Sequence, residues 1–100
     1  MTRQDHLLVR AEEEAAELIQ RLSKALCFGL EQVQQDADDK PEENPLRLTN
    51  KQRIVQEYTD LVALMEMLDI EPWSQSERAR KQAKVERYLL RSKREGRLDE

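Results

Sequence analysis

The sequence predicts an all-α protein, an antiparallel bundle of three to four helices. Three observations predict it. Apolar and charged residues each make up 38% of the 100-residue chain. Apolar residues recur at three- and four-residue steps through long segments, the period of an amphipathic helix. Only two glycines occur, a profile with little room for a strand-and-turn fold. A chain of this length suits one domain, residues 1–100, with a modest core. Aromatics are only 4%, so that core must come mainly from Leu, Ile, Val, Ala and Met.

The first helix is expected from about Thr2 to about Gln35. Leu8, Ala11, Ala15, Leu18, Leu22, Ala25, Leu30 and Val33 form its stripe, widened by Leu7, Ile19 and Leu26. Thr2 is placed to cap it, with Asp5 in the first turn. Gly29 falls inside the pattern, and a mid-helix glycine costs roughly 1 kcal/mol relative to Ala, so a kink or break is expected there. Residues 36–49 then read as a long acidic loop, with two prolines and five acids between Asp36 and Glu43. Loops of this length in small domains are commonly functional or disordered. Thr49 or Asn50 opens a second helix over 50–69, with a stripe of Ile54, Tyr58, Leu61, Met65 and Leu68. Pro72 forbids its continuation. A third helix is expected over 74–95, capped by Ser74 or Ser76 and closed by Gly96. Its apolar face is thin.

The formal net charge of −4 is unevenly spread. The first fifty residues hold six basic and eleven acidic side chains, whereas residues 74–97 hold nine basic and three acidic. This split argues against a uniformly basic nucleic-acid binder. An acidic site opposite a basic helix suits a polyanion held through a metal. Cys27 is the only cysteine, which allows no intrachain disulfide and suits a reducing compartment. It reads as a small core residue. The N-terminus has no apolar core of signal-peptide length, and no apolar run approaches membrane-spanning length. A cytoplasmic protein with neither membrane nor nucleic-acid partner is expected.

The segment RAEEEAAELIQ, Arg10 to Gln20, carries four glutamates within six residues. Residues three or four apart share a helix face. Glu14 and Glu17 form such a pair, Glu13 reaches Glu17, and Glu12 points elsewhere. In the second helix, Glu57 and Asp60 form another pair. Each pair borders an apolar stripe, so packing the stripes together brings the pairs to the edge of the contact. Four carboxylates gathered there repel one another and resist desolvation. A hard divalent cation such as Mg²⁺, with Mn²⁺ as substitute, resolves the conflict because it takes about six oxygen ligands and keeps open positions for phosphate oxygens and water. The competing reading is a solvated acidic face on each helix.

The run Glu13-Glu14-Ala15-Ala16-Glu17, followed by Glu57-Tyr58-Thr59-Asp60, resembles the EExxE…ExxD signature of the MazG-like all-α nucleoside triphosphate pyrophosphohydrolases, relatives of the dimeric dUTPases and dCTPases. The resemblance extends through ELIQRLSKALCFGL and KVERYLLRSKREGRL, from about Leu7 to Leu98. It implies Mg²⁺-dependent hydrolysis of an NTP or dNTP to the monophosphate and pyrophosphate, in nucleotide-pool control or sanitation. It implies Glu14, Glu17, Glu57 and Asp60 as metal ligands and Glu13 beside the attacking water. Segment 18–56, between the two halves, is unusually long for the family.

Further candidates follow from position. His6 and Arg10 lie on the line of the glutamates, and Lys24 lies two turns beyond Glu17. Each is a candidate for touching base or phosphate, and an exposed surface residue is the bland alternative. Lys81 and Lys84, with Arg87 and Arg91, form a basic line. Phosphate contact by Lys81 and Lys84 is implied by the resemblance, against a plain solvated face. Trp73 is expected to plug the turn after Pro72. The stripes of the first two helices are wider than one partner covers, which predicts self-association. The resemblance likewise implies a homodimer or homotetramer that completes a four-helix core. The competing functions are a non-enzymatic helical interaction module with an acidic face, and a nucleic-acid binder using residues 74–97.

Overall fold

A computed structural model describes residues 1–33 and 44–99, in two compact units, Met1–Ile70 and Glu71–Glu100. The protein is all-helical, with α1 (Arg3–Phe28), α2 (Asn50–Met67) and α3 (Gln75–Arg94). Residues 34–43, which include 36–43 of the acidic loop expected over 36–49, lie outside the described residues. Among the described residues, no helix is long and apolar enough to cross a membrane.

Helix α1 begins in a capping box. The Asp5 amide donates to Thr2 Oγ1 and the Thr2 amide donates back to Asp5 Oδ2, both at 3.1 Å, satisfying two amides that lack a helical partner. The helix was expected to run to about Gln35, and it ends at Phe28. Gly29 stops it with φ 96° and ψ 150°, a region only glycine adopts without strain. Leu30 and Val33 therefore lie beyond the helix. Val33 instead pairs with Thr49 in an isolated antiparallel bridge.

That conformation also turns the Gly29 carbonyl toward Asn50, whose Nδ2 donates to it at 2.9 Å. The Asn50 and Lys51 amides donate to the carbonyls of Gln32 and Leu30, each at 2.8 Å. Asn50 is fully buried. The start of α2 is thus fastened to the end of α1. At the other end, Leu7 lines a cleft with Met67 and Leu68, so the two helices run antiparallel, packed against each other.

Helix α2 opens with its own box, in which the Gln52 amide donates to Thr49 Oγ1 and the Thr49 amide to Gln52 Oε1. It ends at Met67, two residues short of the expected 69. The chain leaves through Asp69 at φ 57°, with the Asp69 and Ile70 amides donating to Glu66 and Met65. These two bonds form a Schellman termination, here built on an aspartate. Helix α3 is capped by Ser74 and terminated the same way at Gly96, whose amide donates to Lys93 while that of Arg97 donates to Ser92. Nearly all of α3 is exposed, Ser92 being its one buried residue.

In α1 the single broad stripe divides into two faces. Leu7, Ala11, Leu18 and Ala25 are buried or half-buried, whereas Leu8, Ile19, Leu22 and Leu26 are exposed. Ala11 is the only buried apolar residue among the described residues. Cys27 is exposed, not a core residue as expected, because it lies in the last turn beside the Gly29 exit. Trp73 is also exposed rather than plugging its turn.

Candidate metal centre

The antiparallel register places one turn of α1 against one turn of α2, and three carboxylates meet there. Glu14, Glu17 and Glu57 each offer a carboxylate oxygen, all within 4.8 Å of one another. The i,i+3 spacing aims Glu14 and Glu17 to the same side of α1. Glu57 comes from the facing side of α2. Glu14 is only 8% exposed, Glu57 is half-buried and Glu17 is exposed. The cluster therefore runs from the helix contact out to solvent.

Arg10 reaches one oxygen of Glu14, but not every carboxylate oxygen in the cluster has a hydrogen-bond partner. Glu14 Oε2 and Glu57 Oε2 are buried with no hydrogen-bond partner, an expensive state for acceptor atoms. Burial above all, then the neighbouring Glu17 and Asp60, push the Glu14 carboxyl above its ordinary value, while Arg10 opposes them. The same causes, burial first, then Glu17, Glu14 and Asp60, push Glu57 up to about 7. The cover over Glu14 is thin, since two helices with one buried alanine provide little depth. Proximity to like charge consequently matters beside burial.

An all-carboxylate donor set with spare lone pairs fits a hard divalent cation and lacks the imidazole or thiolate that zinc sites use. Two of its residues, Glu14 and Glu57, carry an orphaned oxygen of the kind such an ion would satisfy. Asp60 lies one turn beyond Glu57, exposed. It is outside the tight group of three but close enough to act on both Glu14 and Glu57.

The remaining expected site residues fall in different places. Arg10 Nη1 donates to Glu13 Oε2 at 2.8 Å and Nη2 donates to Glu14 Oε1 at 3.4 Å. Arg10 therefore reaches the glutamates of its own helix, where a substrate contact was expected. Glu13 is exposed and turned toward Arg10, beside the cluster rather than in it. His6 is exposed, two turns before Glu14. Lys24 is half-buried and has a partner of its own. Lys81 and Lys84 line a basic surface groove on α3 with Glu77, Arg80 and Arg87.

Sequence reasoning passed over Arg53, which is buried one turn before Glu57. The signal was available in the spacing. Asn50, Arg53, Glu57 and Asp60 follow one another at steps of three, four and three, a polar line along one face of α2. A matching line, Arg10, Glu14, Glu17, Arg21 and Lys24, runs along α1. No known protein family, curated protein or solved structure compared with the chain matches it.

Proposed function

We propose that this chain is a divalent-metal-dependent nucleoside triphosphate pyrophosphohydrolase, as its resemblance to the MazG-like enzymes implies. The observation that supports the reading best is the meeting of Glu14, Glu17 and Glu57, with two buried oxygens lacking partners. Glu14, Glu17 and Glu57, joined by Asp60 from the next turn, would hold Mg²⁺ or Mn²⁺. Bound there, the cation supplies charge neutralisation for phosphate oxygens and acidifies water.

The chain's own groups have separable tasks. Glu13 accepts the proton of a water that attacks the α-phosphorus. A P–O bond forms there as the α–β bridging P–O bond breaks, and pyrophosphate leaves with the electron pair. Arg10 holds Glu13 and Glu14 in register for this. The resemblance implies phosphate contact for Lys81 and Lys84, which line a basic groove of their own on α3. The role in this reading is control or sanitation of a cytoplasmic nucleotide pool.

A second copy of the chain belongs to the same proposal. The exposed stripe Leu8, Ile19, Leu22 and Leu26 has apolar character with no cover among the described residues, and pairing it across copies would give a homodimer or homotetramer with a four-helix core.

The decisive experiment measures pyrophosphate release from each NTP and dNTP with Mg²⁺ or Mn²⁺. Glu14→Gln and Asp60→Asn should lower turnover at least about 100-fold, the scale of losing a transition-state electrostatic contact. Their melting temperatures should hold or rise, because each removes one of the mutually repelling charges. Full activity in both variants would place the site elsewhere. Failure of the wild-type chain to bind either metal or release pyrophosphate would favour the helical interaction module.

A further inference from the structure

Beside the carboxylates, α2 and the turn that precedes it border a half-open cavity of about 220 Å³, lined by Pro45, Leu46, Leu48, Arg53, Gln56 and Glu57. Glu57 belongs to both the cavity wall and the carboxylate cluster.

The turn that forms the cavity wall is held in place. Asn44 is buried, and its side chain clamps Leu48 twice: Nδ2 donates to the Leu48 carbonyl at 3.1 Å and Oδ1 accepts from the Leu48 amide at 2.9 Å. The Arg47 amide donates to the Asn44 carbonyl at 3.0 Å, and Arg47 itself sits at φ 52°. A non-glycine residue in that region is strained and persists only where its surroundings enforce it. The outcome of clamp and strain is a rigid turn that holds Leu46 77% exposed at the cavity rim. Packing the core gains nothing from this arrangement. An apolar rim facing a polar floor does gain from a ligand that is flat, apolar on its faces and polar at its edge.

We propose that this cavity receives the heterocyclic base of a nucleotide whose phosphates lie at the carboxylate-held cation, an inference that rests on the metal-site reading above. Its size supports one ring system. Pockets that bury whole drug-sized ligands run to roughly 300–1,000 Å³, so about 220 Å³ takes the base and leaves the sugar and phosphates outside, toward Glu57. Pro45, Leu46 and Leu48 cover the ring faces. The Gln56 amide, which offers both donors and an acceptor, reads the ring edge. Placing Gln56 one residue before Glu57 couples base recognition to phosphate position, since the two side chains share one helical turn. Base preference accordingly belongs to residues 44–56 rather than to the acidic run of α1.

The test compares two probes on the full chain with Mn²⁺ present. Inorganic tripolyphosphate reports the phosphate end alone, and the α,β-methylene analogues of ATP, GTP, CTP and UTP report phosphate and base together. At least one analogue should bind more tightly than tripolyphosphate. Gln56→Ala and Leu46→Ala, both at exposed positions, should each weaken that analogue about three- to tenfold, the scale of one hydrogen bond or one apolar contact. Gln56→Ala should also narrow the spread among the four bases, while Mn²⁺ and tripolyphosphate affinities stay unchanged. Equal affinity for tripolyphosphate and every analogue, or analogue binding unchanged in both variants, overturns the base site and leaves the metal centre standing. Equal weakening of tripolyphosphate in both variants also overturns it. Absence of Mn²⁺ binding in the wild-type chain overturns both.

Discussion

Glu57 shows how much a single side chain reveals about this protein. Its carboxyl, pushed up to about 7, keeps its proton in the folded state between the ordinary glutamate range and neutrality, where the unfolded chain has already released it. The folded state then binds more protons than the unfolded one, and stability falls as pH rises through that interval. Glu14 is shifted in the same direction. With chelator present, thermal unfolding should therefore occur at a higher temperature at pH 5 than at pH 7.5. Glu57→Gln should flatten that difference, because it removes the titrating group and its charge. Mg²⁺ should stabilise most at pH 7.5, since ligand carboxylates must be ionised to bind metal. A wild-type pH profile unchanged by Glu57→Gln would mean that Glu57 is an ordinary solvated glutamate. The pairing of Glu14 with Glu17 was legible from spacing alone. The orphaned oxygens were not, because burial depends on what α2 brings to the contact.

At the scale of elements, the helix starts were the most legible part of the fold. Thr2 with Asp5 is a local signal written within one turn, and Ser74 before α3 is another. The ends were less legible. Gly29 invited a kink or break, and its actual role is an exit that aims a carbonyl at Asn50, 21 residues away. No local pattern encodes that distance. Nor does any pattern mark Asp69, which terminates α2 in a conformation that favours glycine. Two substitutions of opposite sign test these assignments. Gly29→Ala should destabilise the chain by about 1–3 kcal/mol through forced backbone strain, although a Cβ there meets no atom within 4 Å. Asp69→Gly should stabilise it by up to about 1 kcal/mol, relief from strain being partly offset by the freer unfolded chain. Chemical denaturation with an unchanged m-value reads both. A neutral Gly29→Ala would mean that the exit bends without strain.

At the scale of the molecule, the central fact is a scarcity of core. Ala11 is the only buried apolar residue among the described residues, while Ile19 is 64% and Leu26 89% exposed. A domain near this size normally buries enough apolar surface to offset its conformational entropy, and little apolar surface is buried among the described residues. The exposed α1 face offers apolar surface that a second copy of the chain would bury. Leu8, Ile19, Leu22 and Leu26 recur at steps of eleven, three and four, one continuous helical stripe that α2 does not cover. A Val55–Tyr58 face on α2 is likewise exposed. Both stripes were legible as excess apolar width, but their division into covered and uncovered faces required the antiparallel register fixed by Asn50. Sedimentation velocity at micromolar concentration should show a dimer or tetramer whose unfolding midpoint rises with protein concentration, as subunit linkage requires. Ile19→Glu with Leu26→Glu should dissociate it and lower helicity, because burying two carboxylates in an apolar contact is strongly unfavourable. A wild-type chain that sediments as a monomer with full helicity would mean that one copy is stable without further cover.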